Sequence, residues 1–379
     1  MSVVVSEGKR ISVDDVVRVA VHRNALVINA GEVIRAASGK AGFIAQTGDA
    51  VALDICRAGM MCRAVSLHAR KQAANKPLVD FLVRALNADV VPVISSYETS
   101  GQELVDFVSG GKYIDGVEGV GSGLVSLTLT PAQAEELRLY PFLAIGLGCL
   151  LASGSTNLLK TIDCVAALSC EAFGCSADAF EAQELSRPHR GQMHSAANMR
   201  MLLDGSKRIN TCAADRKALA LPLHCAPQTT GPCREVLAAA AKAMEIELNS
   251  WESNPSSSKA GQQLDHTQAM VAVRNMCTCL DMLFGESAKR TGAVIPAAMK
   301  EALLTAGQVP YEEKSTLNMN AFLHKLTSLS TALGLELKAS MQVLGDVEAA
   351  ELAANMAKME LDLAKTGGEK EGKEGKEGK

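Results

Sequence analysis

The side chains in this sequence that could do chemistry are few and scattered. His224 stands beside Cys225, a pairing of the kind that activates a thiol, but neighbours in a chain point their side chains apart, so it predicts no dyad. His189 and His194 are five apart, which puts them on different faces of a helix and excludes a two-histidine metal clasp. Arg187 and Arg190 precede a helical stretch and could hold an anion at its start; a solvated loop is the competing reading. The 11 cysteines form no CxxC pair. The close spacings, Cys277-x-Cys279 and Cys170-x4-Cys175, are not zinc spacings, so the cysteines read as buried, reduced thiols and no metal is expected. Two tripeptides set a hydroxyl beside a glycine: Thr99-Ser100-Gly101 and Ala152-Ser153-Gly154.

The elements that must position these groups are helices. Of 379 residues, 47% are apolar and only 3% aromatic, and Ala is abundant, which favours close helix packing over a β-sandwich. A net charge of -4 with no basic concentration argues against nucleic acid as the main partner. The core lies in residues 157–251: an apolar helix over 158–174, a helix over 193–204, a loop through 223–232, and a second long helix opening near Arg234. Upstream, Ser12 caps a helix with Asp14 and Asp15 in its first turn. Further helices are expected at 50–71, 78–87 and 102–108, then a ribbon around 124–129 and a helix from Pro131. Downstream, helices are expected at 267–284, 295–305, 317–344 and 347–364. The tail, 366–379, has no apolar residue and is expected to be disordered. The reading is therefore one helical domain over 1–365, loop-rich over 1–130 and a bundle over 131–365. No apolar run free of polar breaks reaches the roughly 18–20 residues of a membrane span, and residues 1–10 show no signal region, so a soluble, cytoplasmic protein is expected.

Ser186-Arg187-Pro188-His189-Arg190-Gly191-Gln192, the helix after it, His224-Cys225-Ala226-Pro227-Gln228 and Met244-Glu245-Ile246-Glu247-Leu248-Asn249-Ser250-Trp251 follow one another in an order that resembles the middle of the aromatic amino acid ammonia-lyases, histidine ammonia-lyase in particular. Residues 8–16, 57–64 and 85–94 resemble earlier segments of that family. The resemblance implies a mainly α fold: a long antiparallel helical bundle of the ammonia-lyase/fumarase-like type, with a small loop-rich N-terminal part in which a short hairpin precedes the first helix. It also implies a homo-oligomer, a tetramer, built on the long central helices. Finally, it implies an electrophile, a methylidene-imidazolone, that the family makes from an Ala-Ser-Gly tripeptide by cyclisation and loss of two waters.

Carried over residue by residue, the resemblance puts the electrophile at Thr99-Ser100-Gly101, with Thr99 where Ala is usual and about three loop residues missing. Ala152-Ser153-Gly154 is the literal tripeptide, but by order it matches the family's Asn-Gly-Thr turn, with Ser153 in the place of Asn. The family's Gln-Asp-Pro-Tyr-Ser-Leu-Arg run corresponds to Ala218-Leu219-Ala220-Leu221-Pro222-Leu223-His224, so His224 replaces the guanidinium that would clamp a substrate carboxylate. Gln263-Leu264-Asp265-His266 keeps only His266 of the Asn-Phe-His run. No Tyr occurs from Met1 to Ser96, where the base should lie. The candidate substrate-binding residues are thus Ser153, His224 and His266. The expected function is a non-catalytic pseudoenzyme, a structural or regulatory subunit that self-associates or joins an intact relative. The alternative is an active ammonia-lyase or aminomutase acting on histidine or a related amino acid through a ring at Thr99-Ser100-Gly101 or Ala152-Ser153-Gly154.

Overall fold

The computed structural model describes residues 2–5, 10–28, 51–69, 73–110, 112–114, 123–181, 189–212, 220–250, 267–294 and 319–344. The fold is mainly α, as expected. Eleven α-helices are described: α1 Val13–Ala20, α2 Leu53–Ala69, α3 Lys76–Asn87, α4 Ser100–Ser109, α5 Pro131–Leu139, α6 Phe142–Phe173, α7 Arg190–Leu203, α8 Leu221–His224, α9 Ala226–Asn249, α10 Thr267–Val294 and α11 Met319–Leu344. Four short strands join in two pairs, β1 Ser2–Val5 with β2 Ala25–Ile28, and β3 Lys112–Ile114 with β4 Gly123–Val125. The chain forms two compact units: Met1–Thr156, Val236–Cys279 and Pro310–Leu326 in the first, and Asn157–Glu235, Leu280–Val309 and Thr327–Lys379 in the second.

In the first unit the N-terminal segment departs from the expected hairpin. β1 and β2 pair in parallel, Ser2 against Ala25 through Val5 against Ile28, because α1 intervenes and carries the chain back to the same end. Ser12 caps α1 in a capping box with Asp15. Arg57, 2% exposed, runs from α2 to the carbonyls of Val19 and Ala20 at 2.9 and 3.2 Å and of Leu86 at 3.0 Å, and it also bonds Asp89. One guanidinium therefore satisfies carbonyl ends of both α1 and α3, whose dipoles favour a cation there. Asn87 clamps Leu26 of β2 through both its amide groups. Gly59 of α2 and Gly146 of α6 bring two backbones together: a β-carbon on Gly146 would overlap the Gly59 nitrogen. For the ribbon expected at 124–129, the antiparallel pair β3–β4 has its second strand at the start of that stretch and its first strand twelve residues earlier, from Lys112. Thr130 caps α5 in a second capping box, with Pro131 opening the helix.

In the second unit, α6 ends in a Schellman motif. Gly174 takes φ +76°, its N–H donates to Glu171 O at 3.1 Å, and Cys175 N donates to Cys170 O at 2.9 Å. Around that end, Phe173, Phe180, Met199, Leu202, Leu203 and Leu223 form one core cluster.

Three other expectations change. The segment read as a loop over 223–232 is helical: α8 and then α9, which opens at Ala226 rather than near Arg234. Pro227 sits in the first turn, where proline is tolerated; Pro232 lies inside the helix on an exposed side. Gly231 is there for contact, because a β-carbon would overlap the backbone of Gln192. α6 begins at Phe142, sixteen residues before the expected start. Within Pro131–Phe173 an 18-residue window is apolar enough to cross a membrane, with a mean hydropathy of 1.6, but 78% of that window is buried inside the protein, as in a core helix. α10 runs ten residues past Phe284. The expected helices at 295–305 and 347–364 and the tail lie outside the described residues.

Candidate functional site

In the first unit, Thr99, Ser100 and Gly101 start α4 as a hydrogen-bonded turn. Thr99 is the N-cap with φ -89° and ψ -12°, in the right-handed helical region, and its carbonyl accepts from Glu103 N at 3.0 Å. Ser100 is 6% exposed and its hydroxyl donates to Tyr97 O at 2.7 Å. A β-carbon at Gly101 would sit 2.5 Å from Arg138 O, so this glycine lets α4 lie against the end of α5. Ring closure would expel the Thr99 carbonyl oxygen and the Ser100 hydroxyl as water. Both oxygens are engaged here, and losing the first would remove the opening hydrogen bond of α4. These residues are arranged as a helix start and do not fit a methylidene-imidazolone.

Ala152, Ser153 and Gly154 lie inside α6, so the expected turn is continuous helix. The Ser153 hydroxyl donates to Asp14 Oδ1 at 2.9 Å, Thr156 donates to Ala152 O at 2.8 Å, and Gly154 faces the Leu326 side chain. A ring there would break the central helix. Ser153 is thus bound to α1 and not to the α4 start.

In the second unit, His224 ends the single turn of α8 and is half-buried. Burial lowers its pKa, and its Nε2 has no partner among the described residues. Burial, and then the charge of Glu286, raise the pKa of Cys225, which keeps the thiol protonated; no thiolate–imidazolium pair forms. His266 and Arg187 lie outside the described residues. Arg190 is exposed at the start of α7, where the Gly191 N–H donates to Glu235 Oε1 at 2.7 Å. The position considered for an anion is filled by a carboxylate of the protein itself. Among the described residues no group of three or more metal-ligating side chains occurs.

Two polar centres in the second unit escaped sequence reasoning. Glu336, 0% exposed, accepts from Arg290 at 2.7 and 3.1 Å, from Ser287 at 2.6 Å and from Ser169 at 2.9 Å. Ser340 bonds Ser169 at 3.0 Å. Burial lowers the Arg290 pKa, but the Glu336 charge and hydrogen bond outweigh it and the net shift is upward. Asp163, 2% exposed, accepts from Ser195 at 2.7 Å, Asn198 at 2.7 Å and Arg234 at 2.8 Å. The signal was available: Glu336 is a lone charge inside Leu333-Gly334-Leu335-Glu336-Leu337, and Asp163 is one of three charges, with Lys160 and Glu171, inside the apolar 158–174 run. Both oxygens of each carboxylate are hydrogen-bonded, which makes them structural anchors.

By fold the protein is a helical bundle of the class that contains the ammonia-lyases and aminomutases. Among solved structures it is similar to tyrosine aminomutase from Streptomyces globisporus, with TM-score 0.63 and 18% identity over 92% of this chain and 90% of that one. It is also similar to histidine ammonia-lyase from Trypanosoma cruzi, with TM-score 0.65 and 16% identity over 91% and 85%. At these identities the likeness defines the fold. Residues 142–271 match the family model described as aromatic amino acid lyase. Histidine ammonia-lyase 2 of Fusobacterium nucleatum is 32% identical over 225 residues, covering 55% of this chain and 44% of that protein. Histidine ammonia-lyase of Koribacter versatilis is 28% identical over 294 residues, covering 68% and 57%. The chain therefore spans 44% and 57% of the lengths of these curated relatives.

Proposed function

We propose that this chain is a non-catalytic member of the histidine ammonia-lyase group, a structural or regulatory subunit of a homo-oligomer or of an assembly with an intact relative, acting in the cytoplasm. The observation that carries the reading is the state of the electrophile segment: Thr99-Ser100-Gly101 is a satisfied helix start, its two reacting oxygens bonded to Glu103 N and Tyr97 O. Supporting it, the other tripeptide lies within α6, Ser153 is bonded to Asp14, and the position of the carboxylate clamp holds His224, whose pKa burial depresses. A neutral imidazole cannot hold a carboxylate as a bidentate guanidinium does. Association is supported by apolar side chains left exposed on the first unit: Val236 and Ile246 on α9 and Val271 on α10.

The test combines intact mass with turnover. The purified chain should show the unmodified mass, without loss of two waters, and no conjugated acrylate in the ultraviolet from histidine, phenylalanine or tyrosine. A two-water loss mapped to Ser100, with product formation abolished in Ser100→Ala of intact fold, overturns the proposal. A loss mapped to Ser153 overturns it too and relocates the electrophile to α6.

A further inference from the structure

A small pocket in the first unit takes no part in the chemistry considered above. Its volume is about 250 Å³, and Lys76, Pro77, Asp80, Phe81 and Arg84 of α3 line it together with Leu127. That is below the roughly 300–1,000 Å³ of sites for drug-sized ligands, so it suits a smaller molecule. Its walls are held from several directions. Phe81, 1% exposed, packs edge to face on Phe107 of α4 with ring centroids 5.5 Å apart. The Leu127 N–H donates to the carbonyl of Val108, the next residue of α4, at 3.1 Å. Gln133 of α5 donates to Ala74 O, just ahead of α3, at 3.0 Å. The apolar wall is therefore fixed by α4, and the start of α3 by α5.

Charge runs along this pocket in a set order. Lys76, Asp80 and Arg84 recur every four residues, so they share one face of α3 over about 12 Å of its axis. At that spacing a carboxylate commonly pairs with a cation on its own helix. Here no hydrogen bond or ion pair engages any of the three side chains among the described residues, and the buried Nε of Arg84 is without a partner there. Buried donors are rarely left so. The pocket thus presents a positive, a negative and a positive group beside the apolar surface of Pro77, Phe81 and Leu127.

We propose that this pocket binds a small amino dicarboxylate such as L-glutamate, which carries negative, positive and negative groups on a short chain. One carboxylate meets the Arg84 guanidinium, whose planar fork matches it. The ammonium meets Asp80, the second carboxylate meets Lys76, and the methylenes lie on Phe81 and Leu127. A ligand with one carboxylate leaves Lys76 unused, and a dicarboxylate without the amine leaves Asp80 facing only like charge. The pocket contains none of the residues weighed above for an electrophile or a substrate clamp, so binding here is independent of turnover.

The test is isothermal titration calorimetry of the full chain at low salt, where exposed charges are least screened. The probes are L-glutamate, glutarate, which lacks the amine, and L-glutamine, which lacks the second carboxylate. Expected are saturable binding of L-glutamate with Kd below about 1 mM, and binding of each analogue weaker by roughly tenfold or more, as one charge-assisted hydrogen bond is lost. Asp80→Asn should bring L-glutamate and glutarate to within about threefold of each other, and Lys76→Met should do the same for L-glutamate and L-glutamine. Arg84→Met should abolish binding of all three. Should Arg84→Met not fold, the other two variants carry the test, since Asp80 is only half-buried and Lys76 is exposed; thermal melts check each variant. Overturning outcomes are no saturable heat with L-glutamate up to about 10 mM, equal affinity of the parent for all three probes, or discrimination that survives both Asp80→Asn and Lys76→Met.

Discussion

Replacing Glu336 should cost this protein more than any change at the candidate site. The carboxylate is 0% exposed and its main partner, Arg290, is 1% exposed. Glu336→Leu leaves a guanidinium with no counter-charge and takes the acceptor from Ser287 and Ser169. Breaking one side of a buried pair costs about 3–5 kcal/mol, most of it the stranded charge. Unfolding entropy near 2.1 cal/mol/K per residue, taken over 379 residues, is about 0.8 kcal/mol/K. Tm should therefore fall by about 4–6 °C. If the stranded cation is the cause, removing it too must restore stability. The double variant Arg290→Met with Glu336→Leu should return to within about 1–2 kcal/mol of the parent, because apolar side chains replace a pair whose desolvation offset much of its attraction. Calorimetric melting of the parent, both single variants and the double variant gives the full cycle. A single-variant loss below about 1 kcal/mol, or a double-variant loss equal to the sum of the singles, refutes the reasoning.

Glycine substitutions should split by position. Gly146→Ala, which drives a methyl into the Gly59 backbone, should cost roughly 2–4 kcal/mol, whereas Gly285→Ala, with nothing within 4 Å inside α10, should gain about 0.5–1 kcal/mol; thermal melts compare them. His224, with a folded pKa below its ordinary 6.5, contributes stability that is present above pH 6.5 and lost as pH falls through the folded pKa. Tm of the parent should thus drop more between pH 7.5 and pH 5.5 than that of His224→Gln, and equal drops would remove His224 as a cause. Asn249→Ala should loosen the segment before α1, because both amide groups of Asn249 bond Ile11 at 2.8 Å; faster hydrogen exchange at Ile11 and along α1 is the readout, at a cost of about 1–3 kcal/mol.

Most of the fold was legible because its signals are local. Ser12 with Asp15, and Thr130 with Pro131 and Gln133, are cap signatures written within four residues, and both caps form. Apolar spacing located α7, α10 and α11 to within a few residues at their N-terminal ends. The failures came where a long-range contact decides. Gly231 and Pro232 look like a helix stop, yet Gly231 is the place where α7 touches α9, and packing there overrides propensity. The parallel pairing of β1 with β2 depends on where α1 delivers the chain, which no window of a few residues contains. The same holds for Arg57, whose four partners lie on α1, on α3 and at Asp89, two residues past the end of α3.

The candidate site was harder to read for a different reason. A catalytic residue is recognised by convergence, several groups aimed at one point, and sequence supplies only types and order. Several residues of the segments that carry the family likeness have a structural task here. Gly191 of the Arg-Pro-His-Arg-Gly-Gln run is a backbone contact with its N–H bonded to Glu235. Asn249 of the Met-Glu-Ile-Glu-Leu-Asn run clamps Ile11. Ser153 is tied to Asp14. Such residues keep a helical bundle in register whether or not a reaction occurs in it, so their presence argues for the fold and is neutral about turnover. What would argue for turnover is an electrophile, a base and an anion clamp that are not already bonded to the protein itself. Thr99, Ser100 and Ser153 are so bonded, and His224 is uncharged near neutral pH. Returning one group, for instance by His224→Arg, should accordingly leave turnover at background, since groups that act as a unit give nothing singly.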